Sequence, residues 1–215
     1  MEKYFELVVI GGGPAGITLA KKLGKIFHMA VIRPEPHSMI YCAMPYAVEG
    51  IIQKEKTYKK DSLVTDAEAE LVIDAVESVD EKAKKLKLVS GGLIYYEKLI
   101  IASGAESYIP DIPGNGLKGI YTFKTQADLE KLIAVKSGIK KAVVVGAGAI
   151  GIELAQALVS IGVETHLVEM AGSILPNMAD EEMTEDAKIK LFASGMALHL
   201  GAKIKEITGW ASVES

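Results

Sequence analysis

The sequence predicts an α/β fold of two units, each built on a parallel sheet, and three observations carry that prediction. The first is the apolar run Leu7-Val8-Val9-Ile10, which reads as a strand buried on both faces. The second is the glycine cluster after it, spaced Gly11-x-Gly13-x-x-Gly16 and opening into residues with helical spacing. The third is the return of that pattern 135 positions later, where Ala142-Val143-Val144-Val145 leads into Gly146-x-Gly148-x-x-Gly151 and an apolar helix. Strand, glycine turn and helix in this order make a Rossmann-like unit, a parallel sheet between layers of helix.

Composition narrows the function classes. The 215 residues are 49% hydrophobic and 24% charged, enough for one large domain or two small ones. A net charge of −4 and the lack of a long basic run argue against a broad nucleic-acid surface. With one cysteine, no intrachain disulfide forms and no oxidising compartment is implied. No apolar stretch is long enough to cross a membrane. The first strand follows Met1 too closely to leave space for a signal peptide, so a cytoplasmic location is expected.

Each glycine of the opening cluster has a physical role. Gly11 allows a tight turn, Gly13 lets a pyrophosphate approach the backbone, and Gly16 lets the helix pack close to the strand. With Pro14 and Ala15 between them, these residues are the candidate phosphate contacts, because the free N–H groups and positive dipole of a new helix hold anions. Met29 to Arg33 is expected to be the second strand. Glu35 follows inside Arg33-Pro34-Glu35-Pro36, at a distance suited to ribose hydroxyls; it reads equally as a solvated turn carboxylate. His37 to Tyr46 contains Cys42, either a small buried hydrophobe or a reactive thiol.

Residues 51–70, rich in lysine, read as a helix and a loop, and Glu70 to Val76 as a strand. Lys84 to Val89 and Leu93 to Tyr96 read as a hairpin around Ser90-Gly91-Gly92. Lys98 to Ala105 reads as another buried strand whose small residues Ala102, Ser103 and Gly104 permit close approach of a ligand. The proline- and glycine-rich stretch from Tyr108 to Gly116 marks a boundary. The expected organisation is a first domain over 1–108, a linker over 109–124 and a second domain over 125–215. Thr125-Gln126-Ala127-Asp128 reads as a capping box, and Gly138 as the end of its helix.

In the second unit Gly146, Gly148, Ile150 and Gly151 are the candidate phosphate contacts, and Glu169 closes the following strand, Val163 to Val168. A carboxylate there suits a ribose hydroxyl pair and repels a 2′-phosphate, which favours NADH over NADPH. Asp180 is expected to cap a further helix whose buried face carries Met183, Ala187 and Leu191. A last strand is expected near Ala197 to Leu200.

Two such motifs, with Ala102-Ser103-Gly104 between them, resemble the flavin-dependent pyridine nucleotide-disulfide oxidoreductases. The order of motifs is that of the family and includes Ile112-Pro113-Gly114 and Gly119-Ile120-Tyr121-Thr122. Ser38 to Tyr46 is similar to the single-cysteine branch of NADH oxidases, NADH peroxidases and coenzyme A disulfide reductases. The resemblance implies FAD on the first motif, NADH on the second, and hydride passing through the flavin to Cys42 as the redox-active thiol. It implies that Glu153 lies near the flavin, where the residue itself reads equally as a helix-surface carboxylate. The acceptor it implies is a small-molecule disulfide or polysulfide, peroxide or oxygen. The chain departs from the family at Arg33, where a glutamate is usual, and matches only its N-terminal portion, so the second unit is expected to be incomplete. The alternative is a non-catalytic dinucleotide-binding fragment or subunit that needs a partner. Homo-oligomerisation is left open.

Overall fold

The computed structural model describes residues 2–213. In chain order the elements are β1 (Glu2–Ile10), α1 (Pro14–Leu23), β2 (Met29–Arg33), β3 (Ser38–Met39), α2 (Met44–Glu49), β4 (Tyr58–Lys59), α3 (Ser62–Thr65) and β5 (Glu70–Ile73). There follow β6 (Val76–Asp80), β7 (Lys85–Leu88), β8 (Leu93–Ile101), α4 (Gln126–Val135), β9 (Lys141–Val145), α5 (Ala149–Ser160), β10 (Glu164–Val168), α6 (Glu181–Ala193) and β11 (Ala197–His199). The chain divides into two compact units. One takes the residues up to Ile40 with Tyr58–Glu106, the other Tyr41–Thr57 with the residues from Ser107 onward.

In the first unit a six-stranded sheet runs β5-β2-β1-β8-β7-β6. Its β5, β2, β1 and β8 are parallel, with Val9 beside Val31 and Ile100, and β6, β7 and β8 form an antiparallel meander. β1 buries both faces, the side chain of Val8 pointing away from those of Leu7 and Val9 as alternation along a strand requires. Leu7 and Val9 pack with Ile17, Ala20 and Val64 on the helical side. Phe5 and Val8 pack with Leu86, Leu88, Ile94 and Tyr96 on the other side. The third layer is therefore strand from the meander, and the sheet is largely parallel rather than wholly so.

Several boundaries differ from those read in the sequence. The strands expected at Leu93–Tyr96 and from Lys98 are one strand, β8, which ends at Ile101 with that side chain exposed. Pairing with β1 along its whole length carries β8 through the polar Glu97 and Lys98, which a pattern of apolar runs divides. The expected strand from Glu70 to Val76 is broken at Asp74, whose carboxylate accepts from the N–H of Ala75 and turns the chain into β6. Residues 51–69 hold short turns, the two-residue strand β4 and the four-residue α3 in place of the expected helix and loop.

In the second unit β9, β10 and β11 form a parallel sheet in the order β11-β10-β9. Helix α5 packs on β9 and β10, burying Ala155 and Leu158 alongside Val144 and Leu167. The capping box of α4 is formed in both directions between Thr125 and Asp128. That helix ends at Val135, and Gly138 lies inside a following 3-10 turn instead of closing it. Asp180 occupies the N-cap of α6 without a side-chain capping bond. Met183, expected in the core, is 76% exposed; Thr184 and Leu191 take the buried positions of α6, with Ala187 half-buried. The mixed composition of that helix gives several faces of similar polarity, so packing decides which is buried.

The compact units are not contiguous in sequence, unlike the 1–108, 109–124 and 125–215 organisation. The segment with α2 groups with the second unit because α2 packs on α4 and α5. Lys136 Nζ donates to the Val48 carbonyl at 2.5 Å, and Lys54 pairs with Glu130 at 2.8 Å. Among the described residues, no helix is long and apolar enough to cross a membrane.

Candidate functional site

The first glycine loop sits at the carboxyl end of β1. Gly11 donates to the Ile32 carbonyl at 2.8 Å, and Ala102 donates to the Ile10 carbonyl at 2.7 Å, so β2 and β8 flank the turn. A Cβ on Gly11 would overlap the Ala102 carbonyl oxygen, and one on Gly16 would overlap the Gly11 carbonyl oxygen. These two glycines are required by the fold itself. Gly13 is different: a Cβ there would meet nothing within 4 Å. Its surroundings are open, as an approaching phosphate needs, and α1 carries no acidic residue in its first turn. The loop therefore fits a dinucleotide. Pro14 and Ala15 begin α1, and Ser103 and Gly104 lie exposed beyond β8.

Past β2 the structure shows what the sequence left open. Arg33 is 2% exposed and donates to the carbonyls of Glu35 (3.0 Å) and Pro36 (3.0 Å), to Ser38 Oγ (2.5 Å) and to Asp61 Oδ1 (2.5 Å). Its guanidinium is turned inward. Glu35 is exposed on the turn that Arg33 holds. Sequence reasoning noted Arg33 only as a departure and Ser38 only as the start of the cysteine segment, and it missed Asp61 entirely. The available signal was an arginine closing an otherwise apolar strand, since arginine is rarely buried without partners.

The second loop repeats the construction. Gly146 donates to the Val168 carbonyl at 2.8 Å, and a Cβ on Gly151 would overlap the Gly146 carbonyl oxygen. Gly148 is the N-cap of α5 with open space around it, and Ile150 is exposed in the first turn. Glu169 reaches this loop: its carboxylate accepts from the N–H of Ala147 and of Ala171, each at 2.8 Å. The bond from Ala171 is the largest influence on its pKa. Burial opposes it, the N–H groups of Ala147 and Met170 add to it, and the carboxyl ends below the ordinary range.

A carboxylate with a depressed folded pKa adds stability above its unfolded pKa and loses it as pH falls through the folded value. The second unit should accordingly lose stability as pH falls through and below the ordinary carboxylate range, and a Glu169→Gln variant should lose less over that range. Urea unfolding followed at several pH values checks this. Equal pH dependence in both proteins would remove the effect from Glu169.

Cys42 lies in a 3-10 turn, Tyr41–Ala43, immediately before α2, and is exposed. The buried reading of this cysteine does not hold. Its neighbour Tyr41 carries Lys124 Nζ over its ring at 5.6 Å from the centroid. Glu153 is exposed on α5, the helix against which α2 packs. Cys42 and Glu153 thus belong to the same unit, Cys42 in the turn that leads into the helix packed on α5.

Comparison with known proteins follows this architecture. Residues 5–214 match the family of pyridine nucleotide-disulphide oxidoreductases. An NADH oxidase of Methanocaldococcus jannaschii is 33% identical, with 97% of this chain and 50% of that protein covered. A ferredoxin reductase from Rhodopseudomonas palustris superposes with a TM-score of 0.86 at 26% identity, covering 95% of this chain and 52% of the other. An NAD-dependent persulfide reductase from A. fulgidus superposes with a TM-score of 0.84 at 27% identity, covering 97% and 41%. The chain spans 50% of the Methanocaldococcus jannaschii protein and 46% of a CoA-dependent NAD(P)H sulfur oxidoreductase of Pyrococcus abyssi, so it spans half or less of the length of these relatives. By its duplicated glycine loops, its order of elements and this match along nearly all its length, the chain belongs to the pyridine nucleotide-disulphide oxidoreductase family.

Proposed function

We propose that this chain carries the FAD and NADH sites of a flavoprotein oxidoreductase in which Cys42 receives the electrons. The observation that supports it is the pair of equivalent glycine loops in one chain that also presents a single exposed thiol. FAD is assigned to the first loop, with Gly11, Gly13, Pro14, Ala15 and Gly16 at its pyrophosphate. Glu35 is assigned to its ribose, and Ala102, Ser103 and Gly104 line the approach. NADH is assigned to the second loop, at Gly146, Gly148, Ile150 and Gly151. The ionised Glu169 accepts from ribose hydroxyls and disfavours the 2′-phosphate of NADPH.

When bound, FAD supplies the two-electron relay between nicotinamide and sulfur. The residues of this chain do the rest. The Cys42 thiolate attacks one sulfur of a disulfide or polysulfide acceptor, forming a mixed disulfide and releasing the other sulfur as a thiolate. Overall NADH, a proton and one disulfide give NAD⁺ and two thiols, and the thiolate of Cys42 is regenerated. With peroxide, the same sulfur is oxidised to a sulfenic acid and water leaves. Glu153, on the helix against which α2 packs, is the candidate tuning carboxylate.

The test is to purify the protein, reconstitute it with FAD, and titrate NADH into wild type and Cys42→Ser under argon. Both proteins should lose the flavin absorbance. Disulfide reduction should fall at least about 100-fold in Cys42→Ser, since a serine hydroxyl is not a comparable nucleophile. Equal turnover in the variant would remove Cys42 from the mechanism, and failure to retain FAD would sink the assignment. A second reading, a dinucleotide-binding subunit completed by another polypeptide, is favoured by the open face of the β9–β11 sheet, where Val143 and Val145 are 56% and 58% exposed. Self-association without NADH turnover would support it.

A further inference from the structure

The cluster around Arg33 bears on the first glycine loop directly. Three groups in series connect α3 to the loop: Asp61 accepts from Arg33 Nη2, Arg33 Nη1 donates to Ser38 Oγ, and Ser38 Oγ donates to the Gly12 carbonyl at 2.5 Å. The direction of each bond is forced. A guanidinium has donors only, so the Ser38 hydroxyl must accept from it, and its single proton is left for Gly12. Both Arg33 and Ser38 are buried, at 2% and 5% exposure. Four of the five guanidinium N–H groups are engaged within the protein, so Arg33 is organised to hold the chain and not to receive an external phosphate.

Ser38 is itself fixed by the β3–β4 ribbon, where it pairs with Lys59 two residues before Asp61, and His37 stacks on Tyr58 at 4.8 Å. The aliphatic stem of Arg33 lies under the loop: a Cβ on Gly12 would come within 2.6 Å of Arg33 Cδ. Gly12 occupies a free position of the glycine motif, yet here that position has no space for a side chain.

A trans peptide is planar, and its C=O and N–H point in opposite directions. Tying the Gly12 carbonyl to Ser38 therefore sets the orientation of the Gly13 N–H on the far side of the same peptide. We propose that Asp61, Arg33 and Ser38 form a positioning relay that aims the Gly13 N–H at the pyrophosphate of the adenosine dinucleotide bound by the first loop. This rests on the reading that the first loop binds such a dinucleotide. Arg33, at the place where the family usually has glutamate, is then a positioning residue acting from beneath the loop.

The test uses the full chain and two probes, ADP for the adenosine diphosphate half and FAD for the whole cofactor. In wild type, ADP should move the Gly13 amide proton downfield in a ¹H–¹⁵N spectrum. Ser38→Ala should lose that shift and bind ADP and FAD roughly three- to tenfold more weakly, the effect of one lost hydrogen bond. Ser38→Thr keeps the hydroxyl and should restore both. A merely structural role of Ser38 would change the melting temperature of the unliganded protein without selecting the Gly13 amide. An unchanged Gly13 shift in Ser38→Ala, or no ADP response in wild type, overturns the relay. Wild type that shows the ADP response but binds no FAD overturns the flavin assignment and leaves the relay standing.

Discussion

Gly11→Ala is expected to destabilise the first unit by about 2–4 kcal/mol, while Gly13→Ala leaves its stability within about 0.5 kcal/mol of wild type and abolishes tight dinucleotide binding. The two residues belong to one motif, and the structure separates their reasons. Gly11 has φ of 114°, where an L side chain is strained, and its Cβ would overlap the Ala102 carbonyl oxygen, which is backbone and hydrogen-bonded neighbours hold it in place. Neither term can relax without moving β8 away from β1. Gly13 has φ of −72°, compatible with alanine, and open space around it. A methyl group there obstructs only what comes from outside, so its cost falls on a ligand drawn close to the backbone. Urea denaturation of the two unliganded variants, followed by FAD titration of Gly13→Ala, checks the pair. Equal destabilisation by both substitutions would mean that the loop does not distinguish fold from binding as described.

Arg33→Leu should cost about 2–4 kcal/mol in the same measurement. Replacing the guanidinium leaves the carbonyls of Glu35 and Pro36 and the hydroxyl of Ser38 without their donor, in a region where Arg33 itself is 2% exposed. Asp61 softens the loss, because its side chain is 46% exposed and water can replace the arginine. Asp61→Asn, which keeps an acceptor, should therefore cost much less than Arg33→Leu. Similar losses from the two substitutions would place the main interaction in the ion pair rather than in the buried hydrogen bonds.

Much of this protein was legible from local pattern. The run Leu7–Ile10 and its copy Ala142–Val145 announced strands, and the glycine spacing after each announced a turn into a helix that the structure builds at Pro14 and Ala149. Thr125 and Asp128 announced a capping box because the bonds that make one span three residues. Elements whose limits depend on a neighbour were less readable. β8 passes through Glu97 and Lys98 because β1 supplies pairing along it, and no window of its own sequence contains that partner. Met183 was misplaced because α6 has no single dominant apolar face, and Leu191 and Thr184 won the contact.

The candidate site divides in the same way. Gly11, Gly16 and Gly151 could be named from sequence because each answers a close approach by backbone a few residues away or by the adjoining strand, and Gly146 because its turn takes a φ of 99°. The relay through Arg33, Ser38 and Asp61 could not be named. It joins residues up to 28 positions apart, through hydrogen bonds that exist only once β3 and β4 have paired. The sequence by itself determined the family, the two glycine turns and the presence of one thiol, since these are written in spacing and residue type. Only the tertiary structure decided that Cys42 is exposed, that Glu169 is held by the backbone of its own glycine loop, and that Arg33 turns inward. Exposure, pKa and side-chain direction are set by which distant groups pack and pair around a residue, and spacing along the chain carries no record of that.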